Sequence, residues 1–250
     1  GDLTENRGWH VSALMASGNV IVMSGLDQAM SLTLTNAEVY DTQTNTWTQI
    51  SPGTASHHTL GSAVTSVNQT LVVGGVNLAV GGQGLSITGF ASPAVEPFNQ
   101  QGGNFPNGPA NVGDRSAMGS DVMSTGDAFF AGGRGLDPAG TALSVVDTTA
   151  LYDPTAQAFT AGPTPHGRRA AVAEIGTSSD MLIVRGIDTS GVPTAVCEVY
   201  GVLNNAILGT VNMSTERVDH TASTLHNGQI IVVGGNDANG TPVDSTEIHT

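Results

Sequence analysis

Val20-Ile21-Val22-Met23-Ser24-Gly25 is a short apolar run that ends on glycine. The same device recurs as Val72-Val73-Gly74-Gly75, Phe130-Ala131-Gly132-Gly133, Val184-Arg185-Gly186 and Val232-Val233-Gly234-Gly235. The final glycines fall at 25, 75, 133, 186 and 235, so successive offsets are 50, 58, 53 and 49 residues. A spacing of this size marks a repeat architecture, in which each repeat is one small supersecondary element.

Three further markers keep phase with the glycines. One reads Glu38-Val39-Tyr40-Asp41, Glu96-Pro97-Phe98, Ala150-Leu151-Tyr152-Asp153, Glu198-Val199-Tyr200 and Glu247-Ile248-His249. A large apolar residue follows it: Trp47, Phe105, Phe159 or Leu208. Each repeat opens with Arg7-Gly8-Trp9-His10, His57-His58, Arg115, Arg168-Arg169 or Arg217-Val218-Asp219-His220. Turn residues such as Ser17-Gly18-Asn19 and His226-Asn227-Gly228 bound the β-rich runs, and no segment sustains a helical period. The pattern predicts four antiparallel strands per repeat. It places the glycines where the backbones of neighbouring repeats come close.

Arg-x-x-His, a β-run ending in Gly-Gly, Glu-x-Tyr-Asp and then Trp together resemble the Kelch repeat. Repeat one carries the resemblance best, through Arg7, His10, Gly25, Glu38, Tyr40, Asp41 and Trp47. The resemblance implies an all-β fold, a β-propeller of five Kelch-type four-stranded blades in a single domain over 1–250. The blades would span about 7–50, 57–108, 115–162, 168–211 and 217–250 plus 1–6. Repeat two lacks the arginine and carries a glycine-rich insertion from Ala79 to Gly89; repeat three has Ala150 for the glutamate; repeat four has Arg185 for the first glycine. Repeat five reaches Thr250 just after its third strand, so the last blade is expected to be incomplete or closed by Gly1 to Asn6.

Composition narrows the function classes. The net charge is −14 and all seven basic residues are arginine. Such a chain repels phosphate backbones and anionic membranes, so no nucleic-acid partner and no membrane insertion are expected. Abundant Ser, Thr, Asn and Gly with no lysine fit an exported protein or one from a salty habitat, with an extracellular or cell-surface setting preferred, and Gly1 in place of Met suggests processing or an artificial start to the chain. The single cysteine, Cys197, rules out an intrachain disulfide framework. It reads as a small buried hydrophobe.

Candidate sites come from the phase of the repeats. Arg7, Arg115, Arg168 and Arg217 occupy equivalent positions, with His10, His58 and His220 nearby. They could form an axial ring for an anion, or each arginine could pair with a strand glutamate such as Glu38, Glu198 or Glu247. Asp27, Asp188 and Asp237 each fall two residues after the final glycine, with Asn77 in the same place. They could supply oxygens for calcium, or cap Asx turns. No other cofactor is expected. Asn68, Asn212 and Asn239 head glycosylation sequons, in about the number composition alone gives.

Nothing resembles a nucleophile elbow or a zinc motif. The resulting expectation is a non-catalytic interaction or structural module, binding a protein partner or itself through loops on one face. The insertion at Ala79 to Gly89 and the run from Asn99 to Gly113 are the candidate contact loops. The alternatives are a carbohydrate-binding or carbohydrate-active propeller, using Trp9, Phe90 or Phe105 as platforms, and a metal-dependent propeller enzyme.

Overall fold

A computed structural model describes residues 1–27, 33–50, 58–67, 69–81, 84–90, 95–106, 108, 113–136, 143–164, 173–176, 180–184, 186–188 and 191–249. Among them there are 22 strands and no helix. They group into two compact units: Gly1–Ser116 with Ala156–Phe159, and Ala117–Thr155 with Thr160–Thr250.

Unit 1 holds two sheets. Sheet I is a four-stranded meander of β1 (Val11–Leu14), β2 (Val20–Met23), β3 (Ala37–Asp41) and β4 (Thr46–Ile50). Sheet II orders β5 (Ser62–Ser66), β6 (Gln69–Val73) and β9 (Val95–Asn99). A separate hairpin of β7 (Val76–Gly81) and β8 (Gly84–Phe90) lies between β6 and β9 in sequence. In place of a fourth strand, the described residues give an Asn99–Asn104 bridge. Phe105 then packs at a tilt of 49° against Phe98, with ring centroids 5.1 Å apart.

Unit 2 holds the other three sheets, apart from Ala158 and Phe159. Sheet III orders β10 (Gly119–Val122), β11 (Ala128–Ala131), β14 (Thr149–Asp153) and β15 (Ala158–Ala161), with a small hairpin of β12 (Arg134–Leu136) and β13 (Leu143–Val145) inserted. Sheet IV orders β16 (Ala173–Gly176), β17 (Asp180–Val184), β18 (Thr194–Gly201) and β19 (Ala206–Arg217). Sheet V orders β20 (Thr221–Thr224), β21 (Ile230–Val233) and β22 (Thr246–His249).

The core lies between sheets, because side chains alternate across a strand. On β17, Met181 and Ile183 pack with Phe129, Ala131 and Tyr200, while Leu182 and Val184 pack with Ile230 and Val232. That strand is apolar without alternation because both its faces are covered. In unit 1, Val11, Ile21 and Met23 of sheet I meet Val72 and Phe98 of sheet II.

The glycines that reveal the repeat have a local cause. Gly25, Gly75 and Gly235 have φ of 98°, 108° and 90°. A Cβ on them would lie 2.5 Å from Gly8 O, 2.6 Å from His58 Cα and 2.6 Å from Val218 O. The close neighbour at each of these three sites is therefore the lead-in to the repeat's own first strand, and not the adjacent repeat.

Candidate functional site

Among the described residues, repeats one, two and five approach their first strands along an equivalent path. Gly8, Thr59 and Val218 bridge Leu26, Val76 and Asn236. The residues just before them are Arg7, His58 and Arg217. The next residues, Trp9, Leu60 and Asp219, take positive φ of 52°, 57° and 57°. Ala117 repeats this at 50°, which puts Arg115 at the same position in repeat three.

The Arg7 side chain is buried, and both of its terminal nitrogens are bonded. Its Nη1 donates to Ser24 O at 3.0 Å and Asn36 O at 3.1 Å. Its Nη2 donates to Asn36 Oδ1 at 2.9 Å and Glu38 Oε1 at 2.7 Å. Arg217 reproduces the set: Nη1 to Gly234 O and Ser245 O, Nη2 to Ser245 Oγ and to Glu247 Oε1 at 2.7 Å. One cation thus ties the end of the second strand, the start of the third and a buried carboxylate. The several fixed donors of a guanidinium suit it to joining such separate acceptors.

The carboxylates are held from their other side. Thr4 donates both its N–H and its hydroxyl to Glu38 Oε2, at 2.7 Å each. Ser214 N–H donates to Glu247 Oε2 at 2.5 Å. Burial pushes the Glu38 carboxyl up, but the Thr4 donors and the Arg7 guanidinium outweigh it, leaving the group below the usual glutamate range. Glu247 is lowered in the same way, burial being outweighed by Ser214, Thr215 and Arg217. Gly1 to Asn6 therefore do for sheet I what the end of β19 does for sheet V. Asn36, Ser245, Thr4 and Ser214 had no sequence signal, because their types vary between repeats.

His58 corrects the expected alignment with His10. It stands at the Arg7 position, with Nδ1 2.5 Å from Gly74 O and Nε2 2.8 Å from Glu96 Oε2. Gly61 takes the His10 position, just before β5. Repeat two has lost the arginine but keeps a basic residue in the same slot. Arg115 is buried and its carbonyl accepts the Gly75 N–H at 2.9 Å. Arg168 lies outside the described residues. His10 is exposed and His220 buried, and both imidazoles fall below the usual histidine range through desolvation first and the neighbouring arginine second.

The third-strand motif is similarly committed. Tyr40 hydroxyl donates to Asn45 Oδ1 at 2.7 Å and Tyr200 hydroxyl to Asn205 Oδ1 at 3.0 Å. Those asparagines hold φ of 57° and 47° in the turn to the fourth strand. Repeat two has Phe98, with no hydroxyl, and uses Gly103 at φ 61° instead. Asp41 Oδ1 accepts Gln43 and Thr44 N–H at 2.8 and 3.1 Å, as an Asx turn does.

The rim acids also cap their own turns. Asp237 Oδ1 accepts Asn239 and Thr241 N–H at 2.8 Å each, which lowers its carboxyl below the usual aspartate range. Asp188 Oδ1 accepts Val192 N–H at 3.0 Å. Asp27 is half-buried. Among the described residues no group of three His, Cys, Asp or Glu side chains is placed to hold a metal ion. Of the sequons, Asn212 and Asn239 are exposed and Asn68 lies outside the described residues.

What varies is the connection between second and third strands. Its base is the same in every repeat: Leu26–Thr33, Val76–Phe90, Arg134–Val145, Ile187–Pro193 and Asn236–Pro242 each pair across it. In repeats two and three this base grows into ladders, β7–β8 and β12–β13. The glycine-rich insertion of repeat two is thus a regular hairpin, with a bulge at Asn77/Leu78.

No protein-family model matches the chain, and no curated protein matches its sequence.

Proposed function

We propose that the chain is a Kelch-type β-propeller with the five sheets as its blades, and that it works as a non-catalytic interaction module. It binds a protein partner, in an extracellular or cell-surface setting, through the connections between second and third strands. The observation that carries this reading is the division of labour among the repeated positions. The Arg, Glu, Tyr and Asp side chains traced above are consumed by internal bonds, whereas the connections keep one base and differ in length. Variation on a constant scaffold is where recognition evolves.

The test is to shorten β7–β8 to an Asn-Gly turn between Leu78 and Ile87, which pair directly. The variant should keep its β-sheet circular dichroism and unfolding midpoint. A partner purified on the intact chain should then titrate against it with affinity reduced about tenfold or more, the scale set by hot-spot residues. Equal affinity of the two proteins for every partner recovered would overturn the reading.

A further inference from the structure

We propose that His58 is a proton-dependent clamp at the root of the β7–β8 hairpin, so that partner binding through this hairpin weakens as pH rises. The proposal rests on the reading of that hairpin as the contact element.

The slot His58 fills is built for a permanent cation. In repeats one and five, Nη1 of Arg7 and Arg217 donates to the carbonyl of the residue before the last glycine, Ser24 O or Gly234 O, at 3.0 Å. Nη2 donates to the third-strand glutamate. His58 meets the same two groups with its two ring nitrogens, Gly74 O and Glu96 Oε2. A carbonyl oxygen can only accept, and so can a carboxylate. Both nitrogens must therefore carry hydrogen for both bonds to form, which is the imidazolium. The side chains are 0% and 4% exposed, so water does not replace a lost bond.

Loss of one proton leaves a lone pair facing an acceptor in either tautomer. A buried acceptor without its donor is destabilising, more so beside a charged group. Arginine never titrates in this way, so repeats one and five lack the sensitivity.

The clamp reaches the hairpin through backbone. Gly74 precedes Gly75, whose N–H is bonded to Arg115 O, and Val76, the first residue of β7, donates to Thr59 O at 2.9 Å. Thr59 is the residue after His58. The ring and its own chain thus grip both sides of the corner from which β7 departs.

The charged and titratable groups around this corner are few among the described residues. Glu96 comes from β9, and Arg115 from the segment bonded to Gly75. The lead-in of sheet I adds Trp9 O and Ser24 Oγ as acceptors for Leu60 and His58 N–H. His10 follows Trp9 there, and desolvation with the Arg7 charge beside it holds its imidazole below the usual histidine range.

The experiment uses the purified chain without any partner. Ring nitrogen chemical shifts of His58 and amide exchange protection factors are measured across a pH series. Two protonated ring nitrogens are expected at the lower pH. Protection of the Gly75 and Val76 amides, bonded to Arg115 O and Thr59 O, should fall about tenfold or more as the proton leaves. His58→Arg should abolish that fall. Glu96→Gln should abolish it too, because a glutamine amide can donate to a neutral ring whose other nitrogen still serves Gly74 O. A ring already neutral at the lower pH, or unchanged protection in the native chain, overturns the clamp. So does an undiminished pH dependence in both variants. None of these outcomes depends on whether the hairpin binds a partner, so failure of the clamp and failure of the interaction reading remain distinct.

Discussion

Arg217 Nη2 donates to Glu247 Oε1 at 2.7 Å, and Arg7 meets Glu38 at the same distance in repeat one. Each pair joins the lead-in of a sheet to its third strand, away from solvent. Breaking a buried pair by removing one partner strands the other charge, a loss of about 3–5 kcal/mol. Arg7→Ala and Arg217→Ala should each lower the urea unfolding midpoint accordingly. Arg7→Met with Glu38→Leu should recover only part of it, because Ser24 O, Asn36 O and the Thr4 donors would lose their partner. A full recovery in the double variant would show that the loss in each single variant comes from the stranded charge, and that the carbonyl network contributes little.

The same carboxylates set an acid limit. Glu38 and Glu247 lie below the usual glutamate range when folded, so the folded chain binds their protons less readily than the unfolded one. The stability they contribute is complete above the ordinary carboxylate range and is lost as pH falls through their lowered folded values. Thermal unfolding midpoints should therefore decline on acidification. Glu38→Gln should start lower at neutral pH and show a shallower decline. A parallel decline in that variant would assign the acid sensitivity to other groups.

Gly25 and Gly18 separate two reasons for glycine. Gly18 has φ of 84° with open space where a Cβ would stand. Gly18→Ala should cost about 1–2 kcal/mol, the backbone penalty alone. At Gly25 the same penalty is joined by contacts of 2.5 Å to Gly8 O and 3.1 Å to His10 Cα, both on a chain segment fixed by the Leu26 bridge. Gly25→Ala should cost about 3 kcal/mol or more. Chemical denaturation of both variants measures the difference, and equal losses would place the whole cost in φ.

Much of this was legible in the sequence because it repeats. The glycine phase and the Glu-x-Tyr-Asp phase pointed to a second strand ending near Gly25 and a third strand around Glu38–Asp41, and the structure has them at Val20–Met23 and Ala37–Asp41. What the residue types hid was the frame of the lead-in. His57-His58 offers two histidines to a motif that contains both Arg and His, and similarity of type favoured matching His58 to His10. Only the Thr59–Val76 bridge shows that His58 fills the arginine slot. The hairpin in repeat two was hidden differently. Gly81-Gly82-Gln83-Gly84 reads as loop, yet the flanking Val76–Val80 and Leu85–Phe90 alternate well enough to pair.

The two-faced burial of β17 gives the sharpest contrast in the core. Ile183 is 0% exposed and lies among Phe129, Ala131 and Tyr200, while Val233, at the end of β21, is 42% exposed. Both belong to four-residue apolar runs that look interchangeable: Met181-Leu182-Ile183-Val184 and Ile230-Ile231-Val232-Val233. Truncating Ile183 to Ala removes contacts from one inter-sheet layer that neighbouring strands cannot collapse to fill. The loss should be about 2–5 kcal/mol. Val233→Ala removes little buried area and should stay within about 0.5 kcal/mol. Leu182→Ala, on the opposite face of β17, should also be costly, because Ile230 and Val232 depend on it. Equilibrium unfolding of the three variants should rank Ile183 and Leu182 together and Val233 apart. A cheap Leu182→Ala would mean that the layer toward sheet V contributes little, and that β17 is apolar on that face for a reason other than packing.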